Sequence, residues 1–205
     1  NGLTMHSVPV TEEMKTSVMG GQVMFRTRGK NESAKDFLDG VLEEYPYNTP
    51  APISIVELDS KESLAAALGI SVDELSDEGF EATMDLVKND GMRGGYEAYF
   101  DRIAIFAKDS IDDSRTVEMI AFHETVHKLN HDNPDLLLLG EYMWNNTGEN
   151  TKRSRLRDAI EQKYDEEDRL DEMSAYVISE CMIEGRIPQL MDVLDAENQD
   201  RLRII

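Results

Sequence analysis

His123-Glu124-Thr125-Val126-His127 reads H-E-x-x-H and lies inside a stretch with strong helical signals, Ser114 to Asn130. Residues four apart share one face of a helix, so this spacing points two imidazoles at one metal ion. Glu124 sits one step round, where a carboxylate can reach a water on that metal without ligating it. Two histidines and a glutamate in this order suit a zinc-dependent hydrolase with Glu124 as general base. With four histidines in the chain, chance supplies the pattern in on the order of one such sequence in a hundred, so its surroundings must carry part of the weight. Val117, Met119, Ile120, Ala121, Phe122, Val126 and Leu129 make the helix apolar on most sides, which predicts burial. Buried polar side chains need partners. A pair of core histidines satisfied by hydrogen bonds would meet that need but leaves Glu124 unexplained.

Upstream of the motif, Ile103 to Lys108 is a nearly continuous apolar run, as expected of a strand buried on both faces. Tyr96 to Phe100 reads as its hairpin partner, led in by Gly94-Gly95 and turned at Asp101-Arg102. Ile53 to Leu58 is a further strand. Helices are expected from Asn31 to Pro46, from Ser60 to Gly69 with one more turn capped by Ser71, and from Phe80 to Val87. A short helix from Thr11 to Met19 and a brief strand from Gln22 to Arg28 precede them. Downstream, Asn133-Pro134 breaks the chain, Leu136 to Trp144 is helical, and Asn145 to Asn150 is a loop. From Thr151 onward the pattern is helical, interrupted near Gly185 and Pro188. The expected class is α+β: a mostly helical domain over residues 31–205 with a small sheet ahead of the motif helix. Residues 1–30 read as an arm.

Composition bounds the function. The 205 residues include 42 acidic against 21 basic side chains, a net charge of −21. Such a surface repels phosphate backbones and anionic membranes, so no nucleic-acid partner is expected. The basic cluster Lys152, Arg153, Arg155 and Arg157 is short and reads as a solvated helix face. Cys181 is the only cysteine, which excludes an intrachain disulfide and is compatible with a reducing compartment. No apolar run approaches the roughly 18 residues of a membrane span, and no signal peptide is visible. The expected location is the cytoplasm. The opening residue, Asn1, is expected of a mature or excised product, and any leader upstream lies beyond reading.

A catalytic zinc takes three protein ligands and keeps one position open. His131 continues the i, i+4, i+8 series. The astacin-like and matrixin-like pattern, however, places its third histidine six residues after the second, with a glycine between, and His131 is two residues short. A downstream carboxylate is the better candidate. Glu172 lies where the acidic run from Tyr164 turns apolar at Met173, Ala175, Tyr176, Val177 and Ile178. Glu172, Ala175, Tyr176 and Ser179 share a helix face, and small Ala175 permits close packing against a neighbour. Glu172 is therefore preferred as third ligand over Asp168, Asp171, Glu141 and Asp165. Tyr176, one turn on, can donate its hydroxyl to an oxyanion, or be a half-buried core tyrosine. Ser179 and Glu180 are candidates to hold the histidine N–H groups. Trp144, the Leu136–Leu139 run and the methionines read as core.

These residues resemble the gluzincin branch of the zincin metallopeptidases, which pairs an H-E-x-x-H helix with a glutamate on a following helix. The resemblance implies a small mixed sheet before the motif helix, with an edge strand lining the substrate cleft. Glu172-Met-Ser-Ala175 is similar to the family's E-x-x-A pattern, but Tyr176 stands where an E-x-x-x-D pattern has Asp. That departure leaves the outer carboxylate unassigned. Val8-Pro-Val-Thr-Glu-Glu-Met14, Gly21-Gln-Val-Met-Phe25-Arg, Ala121-Phe-His-Glu-Thr-Val-His-Lys128 and Asp171-Glu-Met-Ser-Ala-Tyr176 resemble segments of metallopeptidase domains in polyvalent proteins of bacterial mobile elements and phages. The resemblance covers about a quarter of the chain. It implies a peptide or protein substrate and a place within a larger polyprotein. The rival readings are an acidic docking module with a structural or vestigial metal site, and a metal-dependent hydrolase of a non-peptide bond.

Overall fold

A computed structural model describes residues 27–43, 51–89, 91–149, 151–187, 190, 194 and 196–202. The expected helix from Thr11 to Met19, and the strand from Gln22 apart from its last two residues, lie outside them. Along the chain run α1 (Ala34–Glu43), β1 (Ile53–Val56), α2 (Lys61–Leu68), α3 (Asp77–Asn89), β2 (Gly94–Glu97), β3 (Arg102–Phe106), α4 (Ser114–Asp132), α5 (Leu137–Asn145), α6 (Lys152–Lys163), α7 (Arg169–Ile183) and α8 (Ala196–Leu202). Short 3-10 turns occupy Val72–Glu74 and Pro134–Leu136. The architecture is α+β, mostly helical, with a three-stranded mixed sheet.

The sheet has the order β1-β3-β2. β3 is central, parallel to β1 (Ile53 opposite Ile103) and antiparallel to β2 (Gly94 opposite Ile105). The apolar run of β3 divides by parity, as side chains on a strand must. Ile103 and Ile105 join Phe37, Leu38 and Val41 of α1 and Val117, Ile120 and Ala121 of α4 in one core. Ala104 and Phe106 face the other way, into a second core with Val56, Leu64 and Ala67. α4 also reaches a third core: its Val126 packs with Leu139, Met143, Ile160, Met173, Ala175 and Ile178 of the C-terminal helices. Burial from two sides explains why the motif helix is apolar nearly all round.

Local chemistry sets the helix ends. Asp113 caps α4, its carboxylate accepting from the Thr116 N–H at 2.9 Å. Ser60 and Thr151 cap α2 and α6 in the same way, and Gly69 closes α2 in the left-handed region at φ 72°. Ser33 rather than Asn31 caps α1, accepting from Asp36 N–H. α3 starts at Asp77, three residues before the expected Phe80, because the Ser76 hydroxyl accepts from Gly79 N–H at 2.9 Å. At the end of the arm, Thr27 bridges to Asp113 and Arg28 N–H donates to the Asp112 carbonyl, tying this segment to the start of α4.

Three further expectations are corrected. β2 runs over Gly94–Glu97, so the two glycines are strand rather than lead-in, and Tyr99 sits 87% exposed in the turn. The cause is proximity: a Cβ at Gly94 would stand 2.6 Å from Ile120 Cγ2 and 3.1 Å from the Ala104 carbonyl oxygen. Gly94→Ala is expected to lower stability by about 1–3 kcal/mol, as an overpacked site does, because Ile120 Cγ2 belongs to a β-branched side chain held on α4 and the Ala104 oxygen is backbone. Chemical denaturation measures this, and an unchanged midpoint would contradict the packing of β2 on α4. The second correction is a break at Tyr164–Asp168 between α6 and α7. No glycine or proline marks it. The break sets the carboxylates of Asp165 to Asp168 just ahead of the positive end of α7, where the helix dipole favours them. The third is Leu138 of α5, 42% exposed although Leu139 beside it and Leu136 of the preceding turn are fully buried.

Candidate metal centre

α7 crosses α4 more extensively than any other pair of elements pack. α7 also lies close against α5: a Cβ at Gly140 would fall 2.2 Å from the Leu170 carbonyl oxygen. Ala175, wholly buried, keeps the middle of α7 thin. Glu172, 45 residues beyond His127 (172 − 127), stands over the motif helix.

His123, His127 and Glu172 each offer a ligand atom, and the three atoms lie within 4.8 Å of one another. The two Nε2 atoms are 3.0 Å apart. Glu172 Oε2 stands 3.4 Å from His123 Nε2, and Oε1 3.7 Å from His127 Nε2. Donors bound about 2.0–2.1 Å from one tetrahedral ion would be separated by about 3.3 Å, so the observed spacings match what such an ion demands. A second observation agrees: Glu172 Oε2 is buried and has no hydrogen-bond partner. A buried carboxylate oxygen without a donor is costly unless a cation answers it. The donor set of two imidazoles and a carboxylate fits a divalent ion with one position open.

Acid groups crowd this point. His127 Nδ1 meets Asp171 Oδ2 at 2.8 Å. Burial alone would lower the His127 pKa, but the bond and charge of Asp171, with Glu124 and Glu172, outweigh it and push it up to about 9. Asp171 in turn is held below the usual carboxylate range: burial opposes this, and the His127 bond and charge overcome it.

Glu124 is only 7% exposed, and it stays outside the ligand triad. Burial pushes its carboxyl up, against the pull of His123 and His127. The Tyr96 backbone N–H of β2 bonds to it, and Gly94 leaves room beside its Cγ. The turn between β2 and β3 is tied to α4 by Lys128, whose ammonium meets Asp101 of the turn at 2.9 Å as well as Asp132 of its own helix at 2.6 Å. Asp101, in the left-handed region at φ 50°, also accepts from the Tyr96 hydroxyl at 3.1 Å. Tyr176 lies beside this triad, its ring 4.4 Å from that of His123, and burial raises its phenol pKa.

Other candidates fall away from this point. His131 leaves the buried face at the helix end, its side chain 56% exposed and 3.6 Å from Asp132. Glu141, Asp165 and Asp168 are exposed. Neither Ser179 nor Glu180 touches a histidine. Ser179 bonds to Met119 Sδ and the Tyr176 carbonyl, and Glu180 pairs with Lys152 and Arg186. The outer position expected of those two is taken by Asp171, previously weighed only as a ligand; its signal was adjacency to Glu172, which puts it one step round the same helix. Tyr164 was missed altogether. The break before α7 turns its phenol toward Glu172 and Tyr176, and burial keeps that phenol protonated. No family model, curated protein or solved structure matches the chain. Among the described residues, no helix is long and apolar enough to cross a membrane.

Proposed function

We propose that this chain is a zinc-dependent metallopeptidase of zincin type, in which His123, His127 and Glu172 hold the ion and Glu124 is the general base. The observation that carries the reading is the Glu172 carboxylate set against both motif histidines, its buried, unpartnered Oε2 3.4 Å from His123 Nε2 and its Oε1 3.7 Å from His127 Nε2. Zinc held there would polarise a carbonyl and acidify a water in its open position. Glu124 takes the proton from the attacking water and returns it to the departing amine. Its burial raises its proton affinity toward what both transfers need. Tyr176 keeps its phenolic proton and can donate it as a hydrogen bond to the oxyanion that develops on the substrate. β2 is the edge strand packed on the motif helix, so an extended peptide has backbone groups to pair with beside Glu124.

The purified chain is expected to hold about one zinc ion per molecule, as the single open-site donor set requires. Elemental analysis measures this, with peptide cleavage lost to a chelator and restored by added zinc. His123→Ala is expected to bind zinc poorly. A wild-type chain without zinc, or His123→Ala with undiminished metal content, removes the reading. Metal-free wild type would favour the acidic docking module, which needs no open metal site.

A further inference from the structure

We propose that Asn130 is a positioning residue for the metal centre, acting on His127 through Asp171. The inference rests on the metal reading above. Asn130 lies three residues after His127 on α4, on the same face, and is 3% exposed. Its Nδ2 donates to Asp171 Oδ1 and, at 2.7 Å, to the hydroxyl oxygen of Ser174. The Ser174 hydroxyl donates in turn to the Asp171 carbonyl at 2.8 Å, so its oxygen is free to accept from Asn130. The other carboxylate oxygen of Asp171 is the one that meets His127 Nδ1. One carboxylate therefore spans two side chains of α4, the imidazole and the amide.

The amide can stand only one way round. Turned over, its oxygen would face a carboxylate oxygen and a hydroxyl whose proton is already committed. As it stands, both N–H groups are used and Asn130 Oδ1 is left buried with no partner. An orphaned acceptor disfavours folding, so Asn130 is not the side chain that core stability alone would select. What it supplies is a fixed rotation of the Asp171 carboxylate. That rotation aims Oδ2 at Nδ1, leaving the Nε2 lone pair of His127 directed at His123 and Glu172. The motif is thereby extended to H-E-x-x-H-x-x-N on α4, answered by Asp171-Glu172 on α7, with one acidic residue for the ion and one for the ligand's far side.

The test is a double-mutant cycle on zinc affinity, measured by competition with a chromophoric chelator. Asn130→Leu, close in size, is expected to raise the zinc Kd about 10–100-fold, the usual effect of losing an outer partner of a metal-bound histidine. In an Asp171→Ala background the same change should shift the Kd less than about twofold, since nothing remains for Asn130 to orient. A structural role would lower affinity equally in both backgrounds, and that result overturns the proposal. So does an Asn130→Leu chain that binds zinc as the parent does. Circular dichroism of the metal-free chains confirms folding, and Asn130→Ser replaces the leucine variant if that one fails. Wild type that binds no zinc removes the metal reading itself, whereas tight wild-type binding with an unmoved Asn130→Leu removes only this inference.

Discussion

Glu124→Gln is expected to retain zinc and to lose peptide cleavage by a factor of about 10²–10⁴, the range spanned by general acid–base catalysis. Glutamine has the size and one of the oxygens of glutamate. It can keep the Tyr96 N–H bond and the contact beside Gly94. It cannot take a proton from water. Because Glu124 lies outside the His123, His127, Glu172 cluster, metal content should not move. Stability should move the other way from activity. Burial raises the Glu124 pKa, so near neutral pH the ionised form is disfavoured in the fold relative to the unfolded chain. Removing that charge should leave the metal-free variant at least as stable as the parent. Zinc analysis, cleavage rate and thermal denaturation of one preparation check all three. Unchanged cleavage takes Glu124 out of the mechanism, and lost zinc would make it a ligand instead.

The parts of this site legible in sequence are those fixed by spacing within one helix. His123 and His127 are four apart, and their convergence follows from helical geometry alone. The burial of their helix follows from its apolar residues, and the two-faced burial of β3 from its unbroken apolar run. Glu172 was readable because an acidic run turned apolar at that point. What could not be read depends on how two helices rotate against each other. Asp171 and Glu172 are neighbours in sequence, and only the docking of α7 on α4 decides which faces Nε2 and which faces Nδ1. Asn130 reads as an ordinary polar residue near a helix end until Ser174 and Asp171 are seen beside it. The break at Tyr164–Asp168 carries no glycine or proline, so nothing local announced it or the placement of Tyr164. The β2 glycines misled for a related reason: glycine usually marks a turn, but here it admits a helix to the edge of a strand.

Gly140→Ala tests the long-range half of that account, and its expected effect is contrary to helix propensity. In a solvated helix interior the change would gain up to about 1 kcal/mol. Here the added methyl would stand 2.2 Å from the Leu170 carbonyl oxygen, 3.0 Å from its carbon and 3.4 Å from Ser174 Cβ. The first two are backbone atoms of α7 and cannot rotate aside. α5 and α7 must part by about 1 Å to restore an ordinary contact, which opens the core holding Leu139, Met143 and Met173. Overpacking of this kind costs about 1–3 kcal/mol and occasionally more. With backbone on one side of the clash, the upper end applies. At about 2–4 °C per kcal/mol for a chain of this size, Tm should fall by about 6–12 °C. The metal centre should feel the same displacement, because Leu170 precedes Glu172 by two residues on one rigid helix and Glu172 Oε2 stands only 3.4 Å from His123 Nε2. Zinc affinity is therefore expected to fall about tenfold or more, as for other losses of ligand support, although Gly140 touches none of the three ligands. Thermal denaturation and chelator competition read the two effects separately. An unchanged Tm would mean that α5 does not press on α7 at this point. A lowered Tm with wild-type zinc affinity would mean that Glu172 is placed by something other than the seat of α7 on α5, leaving its contacts with α4 as the element that sets the third ligand.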